Sequence, residues 1–320
     1  MTPVDSGIDE LRPVLADALG VEHVEQLVAR PLSAGASRLT WALDVEVDGT
    51  VHRLVLQRQR TTGIPPAAGR MDVGTEVRLL QAAHAAGVPV PVVITAGTSY
   101  LITSHVDGET IPRRILRDPT LATARSRFAT DCGRILAGIA SIAIDAVAPI
   151  PASDPLDLVE QLLDRAGTRR PSFEYALHWL RVNRPPRGRT VVVHGDFRNG
   201  NLIVGPEGVR AVLDWELAHV GDPREDLGWL CARVWRFGAP AAVAGMGSLA
   251  DLLDAYAHHG GHRVIPADLF WWQVLATLRW GAICLEQARV HLSAEFRSVE
   301  LAVIGRRAAE MEYELMRMLA

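Results

Sequence analysis

The sequence predicts an α+β fold of two lobes, an antiparallel sheet with one helix followed by a mainly helical lobe, and three observations lead there. Alternating, β-rich runs crowd residues 24 to 58. Helical patterning takes over from Pro112 and, apart from a β-rich stretch between Thr190 and Leu213, runs to the C-terminus. The change of pattern near residue 107 divides the chain into 1–106 and 107–320.

Residues 9 to 19 have the spacing of a short amphipathic helix. Strands are expected at 24–32, 39–47 and 51–58, with Asp48-Gly49 turning the chain between the last two. Beyond the Gly-, Pro- and Ala-rich stretch Thr61–Arg70, Thr75 is placed to cap a helix that stops at Gly87. Val88-Pro89-Val90-Pro91 then forces extended backbone, and strands at 92–95 and 100–106 complete the first lobe. In the second lobe helices are expected at 119–143, at 155–166 behind Asp154-Pro155, and at 172–183. Val191-Val192-Val193 and Val209–Leu213 read as short β runs on either side of a Gly205-Pro206-Glu207-Gly208 turn.

A 320-residue chain that is 48% hydrophobic can bury a substantial core, so a folded protein is expected. Its net charge of −4 offers no general attraction for nucleic acid or an anionic membrane, which leaves a small molecule as the expected partner. Cys132, Cys231 and Cys284 are far apart and form no C-x-x-C pair; this argues against a disulfide framework or a zinc site and suits the cytoplasm. The N-terminus lacks a basic segment followed by an apolar one, and the longest apolar run, Ile135–Ile144, is too short to span a bilayer. All 33 basic residues are arginine, so any chemistry that needs a lysine is excluded.

Chemistry concentrates in His194-Gly195-Asp196-Phe197-Arg198-Asn199-Gly200-Asn201, followed by Leu213-Asp214-Trp215-Glu216. Phosphoryl-transfer loops of the form H-R-D-L-x-x-x-N, with a later D-F-G, use the first Asp to accept a hydroxyl proton and the Asn and second Asp to hold Mg²⁺. Asp196, Asn201 and Asp214 repeat those residue types in that order. Mg²⁺ completes its octahedron with water and phosphate oxygens, so one Asn and one Asp are a sufficient protein share. Asp196 is therefore the candidate base, Asn201 and Asp214 the candidate Mg²⁺ ligands, and Arg198 the candidate stabiliser of charge on the transferred group. His194 is expected to shape the loop by packing and hydrogen bonding. Asp, Asn and Gly are also ordinary turn residues; the ordered set between β runs carries the reading, not any single member.

With this loop the chain resembles the aminoglycoside phosphotransferase and choline kinase superfamily, in which His-Gly-Asp-x-x-x-x-Asn and a later Asp replace the protein-kinase forms. Gly221-Asp222-Pro223 and Asp226-Leu227 extend the likeness toward the branch with kinase-like domains fused to acyl-CoA dehydrogenases. The resemblance covers nearly the whole chain and is strongest from 191 to 230. It implies a bilobal protein-kinase-like fold, ATP and Mg²⁺ as cofactors, and transfer of the γ-phosphoryl group to a hydroxyl. It also implies that Ser33, Gly35 and Ser37 belong to a nucleotide-covering loop, that Glu76 is the family's helix glutamate, and that backbone groups of Ser104 and Val106 meet the adenine. The third strand departs from the family, because the phosphate-binding lysine is missing from Leu54-Val55-Leu56-Gln57-Arg58. Gln57 stands there by register and Arg58 is the better phosphate partner by charge; neighbours on a strand face opposite ways, and both remain candidates.

The acceptor is less defined. Residues 248–320 hold nine acids against seven arginines, too even a balance to suggest a polycation pocket. Trp271, Trp272 and Trp280 either line a partly apolar acceptor site or belong to the core. His258-His259-Gly260-Gly261-His262 reads as a helix end behind the start signal at Ser248, not as a metal site. The arginines from Arg169 to Arg189 are either solvated surface or a site for an anion. The absent lysine keeps a catalytically silent nucleotide-binding module as the alternative, while a protein kinase is disfavoured because no A-P-E segment follows Asp214-Trp215-Glu216.

Overall fold

Alternation in the first hundred residues builds a five-stranded antiparallel sheet from β1 (Gln26–Ala34), β2 (Arg38–Val47), β3 (Thr50–Gln59), β4 (Val93–Ala96) and β5 (Tyr100–Ser104), in the order β1-β2-β3-β5-β4. The structure, a computed structural model, describes residues 7–34, 38–59, 71–152 and 154–320. Asp48 and Gly49 have φ of 49° and 69°, the positive values that a two-residue hairpin loop needs to match the strand twist.

The two faces of this sheet do different work. Trp41, Leu43, Val45, Leu54, Leu56 and Ile102 are buried on one face with Leu15 and Ala16 of helix α1 (Arg12–Leu19). Burying each large apolar side chain is worth about 1.5–3 kcal/mol, which is enough to hold α1 on the sheet. The other face, bearing Arg38, Thr40, Val55, Gln57 and Thr103, looks into a cleft. Helix α2 (Val73–Ala85) enters the larger core through Leu79, Leu80 and Ala83. Its cap is Asp72 instead of the expected Thr75: the Asp72 carboxylate accepts from the Thr75 N–H at 2.9 Å and from the Thr75 hydroxyl at 2.7 Å.

In the second lobe the helix expected at 119–143 is Ala122–Ala140, entered through a tight turn at Pro119–Leu121, and a separate short helix, Pro112–Arg117, precedes it. Pro119 holds the preceding Asp118 in extended backbone (ψ 118°), which ends the short helix there. Helices Pro155–Ala166 and Pro171–Val182 lie where their N-terminal prolines place them. The β-rich stretch forms two small ladders. The Pro206-Glu207 turn joins β7 (Leu202–Gly205) to β8 (Gly208–Val212), whereas β6 (Val191–Val193) pairs with β9 (His219–Gly221), a strand too short for alternation to reveal. Helix Ala122–Ala140 packs on β6 and β8, and Arg224–Cys231 packs on Pro266–Leu292, with Leu227, Leu230, Leu275 and Leu278 in the main core. Glu109, just past the sheet, exchanges backbone hydrogen bonds of 2.9 and 3.0 Å with Val204. Among the described residues no helix is long and apolar enough to cross a membrane.

Candidate active site

The cleft between the sheet and the second lobe has a volume of about 520 Å³, within the range of small-molecule sites. Arg38, Thr40, Gln57 and Thr103 line it from the sheet, Asn201, Leu213 and Asp214 from the second lobe, and Ser104 and Val106 from the connection. Strand parity separates the two third-strand candidates. Gln57 pairs with Thr40 and lines the cleft, but Arg58 turns to the opposite face, where its guanidinium donates to the Gly7 carbonyl at 2.9 Å. Arg58 is thus corrected out of the cleft. Ser104 lines it, yet its N–H donates to the Val92 carbonyl at 2.8 Å, so that N–H is not offered to a base. Ser33 falls at the end of β1, and Gly35 and Ser37 lie outside the described residues.

Glu76 is 2% exposed, so it is not a solvated first-turn acid. Its carboxylate receives the forked guanidinium of Arg38 at 2.8 and 2.5 Å, and the Arg38 Nε lies 3.5 Å from Glu216. Burial opposes the charge on Arg38, but Glu76, Glu216 and Asp214 outweigh it and raise its proton affinity. Nothing in the sequence reading singled out Arg38. The available signal was its position two residues before Thr40, on the same face of β2.

The loop between β6 and β7 is anchored from below by Asp226, on helix Arg224–Cys231. Its carboxylate accepts the N–H groups of His194 at 2.7 Å and Gly195 at 2.9 Å. Burial pushes the Asp226 carboxyl up to about 7, against the pull of the His194 amide. Gly195, with φ 79°, lets the chain turn beside the Leu217 carbonyl. His194 is fully buried between the rings of Phe197 and Trp215. Its Nδ1 accepts the Asp196 N–H at 3.2 Å and its Nε2 donates to the Leu213 carbonyl at 3.0 Å. Burial lowers its pKa to about 4, so the ring stays neutral and shapes the loop, as its spacing suggested.

Three donors converge on Asp196. Trp229 Nε1 reaches Oδ1 at 2.8 Å, Arg198 Nε reaches Oδ1 at 3.0 Å, and Asn201 Nδ2 reaches Oδ2 at 2.7 Å. The Arg198 guanidinium also lies over the Trp235 ring, 4.7 Å from its centroid. Trp229 and Asp226 were not assigned roles from the sequence, because their partners lie about thirty residues away in the chain. Their helix is braced in turn: Glu225 bonds His219 Nε2 at 3.2 Å and Arg279 at 2.9 Å, and Arg279 stacks on Trp229.

Asp214 sits in left-handed backbone (φ 64°, ψ 64°) and lines the cleft. Burial, then the carboxylates of Glu216 and Asp196, push it up to about 7. Such crowding of carboxylates suits a divalent cation, which would remove the penalty of ionising Asp214. With Nδ2 committed to Asp196, Oδ1 is the atom that Asn201 can offer beside it. Among the described residues no group of three or more His, Cys, Asp or Glu gathers at one point, so a cage made only of protein ligands is not built. The donor set fits Mg²⁺ shared with phosphate oxygens and water.

Of the two readings of the tryptophans, the core holds: Trp271 and Trp272 belong to it and Trp280 packs against it. Trp271 and Trp272 are buried, Trp271 donates to the Leu180 carbonyl at 2.9 Å, and both line a separate cavity of about 330 Å³ with Arg184 and Arg187. Trp280 instead meets Trp235 edge-on with ring centroids 4.8 Å apart, and Trp235 meets Trp229 at a tilt at 5.3 Å, extending an aromatic row away from Asp196.

Comparison with known proteins adds the following. The family model described as the phosphotransferase enzyme family, APH, matches residues 28–263. Acyl-CoA dehydrogenase family member 10 of Mus musculus is 30% identical over 239 residues, which is 70% of this chain but 22% of that protein. The chain therefore spans less than a quarter of that relative's length. A structure from Ralstonia eutropha, provisionally assigned as an aminoglycoside phosphotransferase, superposes with a TM-score of 0.71 at 21% identity, covering 95% of this chain and 98% of the other. A thermostable mutant of aminoglycoside phosphotransferase APH(4)-Ia, solved with ADP and hygromycin B, gives 0.59 at 16% identity, covering 97% of each.

Proposed function

The chain belongs to the phosphotransferase enzyme family, and from that premise we propose that it transfers the γ-phosphoryl group of ATP, with Mg²⁺, to a hydroxyl of a small molecule in the cytoplasm. The observation that carries this reading is the Asp196 carboxylate, fixed by Trp229, Arg198 and Asn201 beside a cleft that contains Asp214. Asn201 and Asp214 would hold Mg²⁺, which supplies charge neutralisation on the phosphates when bound.

The chain's own groups have separable tasks. Asp196 orients the acceptor hydroxyl and takes its proton; Arg198 Nε is shared between Oδ1 at 3.0 Å and Oδ2 at 3.2 Å, and the hydroxyl takes over the acceptor position that the longer of these two contacts gives up. Trp229 holds that carboxylate against rotation, which keeps the attacking oxygen in line. Arg198 sits two residues from the base with its charge spread over the guanidinium, available to the developing negative charge on the phosphoryl oxygens. Asp226 fixes the loop that carries Asp196, Arg198 and Asn201.

The test is calorimetric titration of the protein and of Asp214→Ala with ATP, with and without Mg²⁺. Binding that requires Mg²⁺ in the wild type, and loses that requirement in the variant, is expected; screening of hydroxyl compounds by ADP release then follows. No binding of ATP by the wild type would overturn the reading.

A further inference from the structure

The phosphotransferase reading leaves a gap on the sheet side of the cleft, because the chain has no lysine to meet the nucleotide phosphates. Gln57, which stands at that register, is neutral, and Arg58 faces the other way. Among the described residues that line the cleft, Arg38 is the only arginine or lysine. It opens β2, the strand next to β3, and shares the inward face with Thr40, which is paired with Gln57. Diagonal positions on adjacent strands lie roughly 7–8 Å apart, a distance that a long arginine side chain bridges. A cation launched from β2 can therefore reach the space in front of Gln57.

We propose that Arg38 is the phosphate-binding cation of this cleft, supplied from β2 in place of a third-strand lysine and held by Glu76. The inference rests on the nucleotide reading above and gives that site its missing cation. Two features of the geometry favour it over a purely structural ion pair. The residue is 6% exposed, and its buried Nε, which lies 3.5 Å from Glu216 in an ion pair, makes no hydrogen bond. A guanidinium carries five N–H donors; Glu76 engages one on each terminal nitrogen and Nε faces Glu216, so one N–H on each terminal nitrogen remains. Those donors can meet phosphate oxygens while the fork to Glu76 stays in place, which combines anchoring and phosphate contact in one side chain. Gln57 adds a neutral amide donor on the same wall.

The experiment compares wild type, Arg38→Ala and the Arg38→Gln/Glu76→Gln pair by calorimetry with two probes, Mg·ATP and adenosine. Adenosine has the base and ribose but no phosphate. Loss of a charge-assisted contact predicts Mg·ATP binding weaker by roughly 10- to 100-fold, with adenosine affinity unchanged within about twofold. Arg38→Ala strands a buried Glu76 and can unfold the sheet; the double variant keeps two amides able to bond each other in that space, so it carries the test if the single variant does not fold. Wild-type affinity for Mg·ATP in the double variant would overturn the proposal and leave the nucleotide site standing. Equal loss of adenosine and Mg·ATP would also overturn it, by making the pair a scaffold only. Failure of the wild type to bind either probe would overturn the nucleotide reading and this inference with it.

Discussion

Alanine at position 195 probes how tightly the loop between β6 and β7 is held against the segment that follows Asp214. Gly195 has φ 79°, and an added Cβ would stand 2.3 Å from the Leu217 carbonyl oxygen and 3.1 Å from its carbon. Left-handed backbone costs an L-residue about 1–2 kcal/mol. The contact adds more, because both partners are backbone and one must retreat by about 1 Å to reach ordinary van der Waals distance. Retreat of the loop stretches the 2.7 and 2.9 Å bonds from His194 and Gly195 to Asp226; retreat of Leu217 breaks the 3.0 Å bond to His219 Nδ1. Either leaves a buried polar group short of a partner, at about 1–3 kcal/mol. Gly195→Ala is therefore expected to lose about 3 kcal/mol. With an unfolding entropy near 2.1 cal/mol/K per residue over 320 residues, that is about 4–5 °C in Tm. Gly167 is the control: it has φ 64° but nothing within 4 Å of an added Cβ, so Gly167→Ala should lose only the backbone share, about 1–2 kcal/mol. Thermal and urea unfolding followed by circular dichroism measures both. Equal losses in the two variants would refute the packing argument.

Two further outcomes follow from the groups around Asp196. Trp229→Phe keeps most of the ring volume but removes the donor 2.8 Å from Asp196, a charge-assisted bond worth about 1.5–3 kcal/mol, so kcat/KM in an ADP-release assay should fall about 10- to 100-fold while Mg·ATP affinity holds. An unchanged rate would remove Trp229 from the mechanism. For His219, burial works against the imidazolium, but the charge and hydrogen bond of Glu225 outweigh it and raise the folded-state pKa above the ordinary 6.5. The stabilisation it brings is fully present below that ordinary value and is lost as pH rises through the higher folded one. The gap in urea midpoint between wild type and His219→Gln should narrow from pH 6 to pH 9, and a constant gap would contradict the assignment.

The strands of the first lobe were legible because period-two alternation is local and repeats over nine or ten residues in each of β1 to β3. The cluster on the loop between β6 and β7 was legible for a related reason: Asp196, Arg198 and Asn201 lie within six consecutive residues, so their spacing survives in one dimension. What escaped was set by contacts across the fold. Arg38 and Glu76 are 38 positions apart, and Trp229 and Asp196 are 33 apart, separations that no local pattern encodes. The choice between Gln57 and Arg58 turned on the phase of one strand, and Arg58 blurred that phase by occupying the otherwise apolar outer face. The strand β9 has only three residues, and the cap of α2 passed from a hydroxyl to a carboxylate that offers two acceptors.

The Arg38–Glu76 fork has a chemical consequence beyond charge. A primary amine in a nucleotide cleft is a nucleophile: it can be acylated, carbamylated or condensed with an aldehyde whenever it sheds its proton. The guanidinium at this position keeps its proton throughout the range in which a protein stays folded and has no free amine to attack with. Electrophilic nucleotide probes built to capture a lysine would leave this cleft unlabelled.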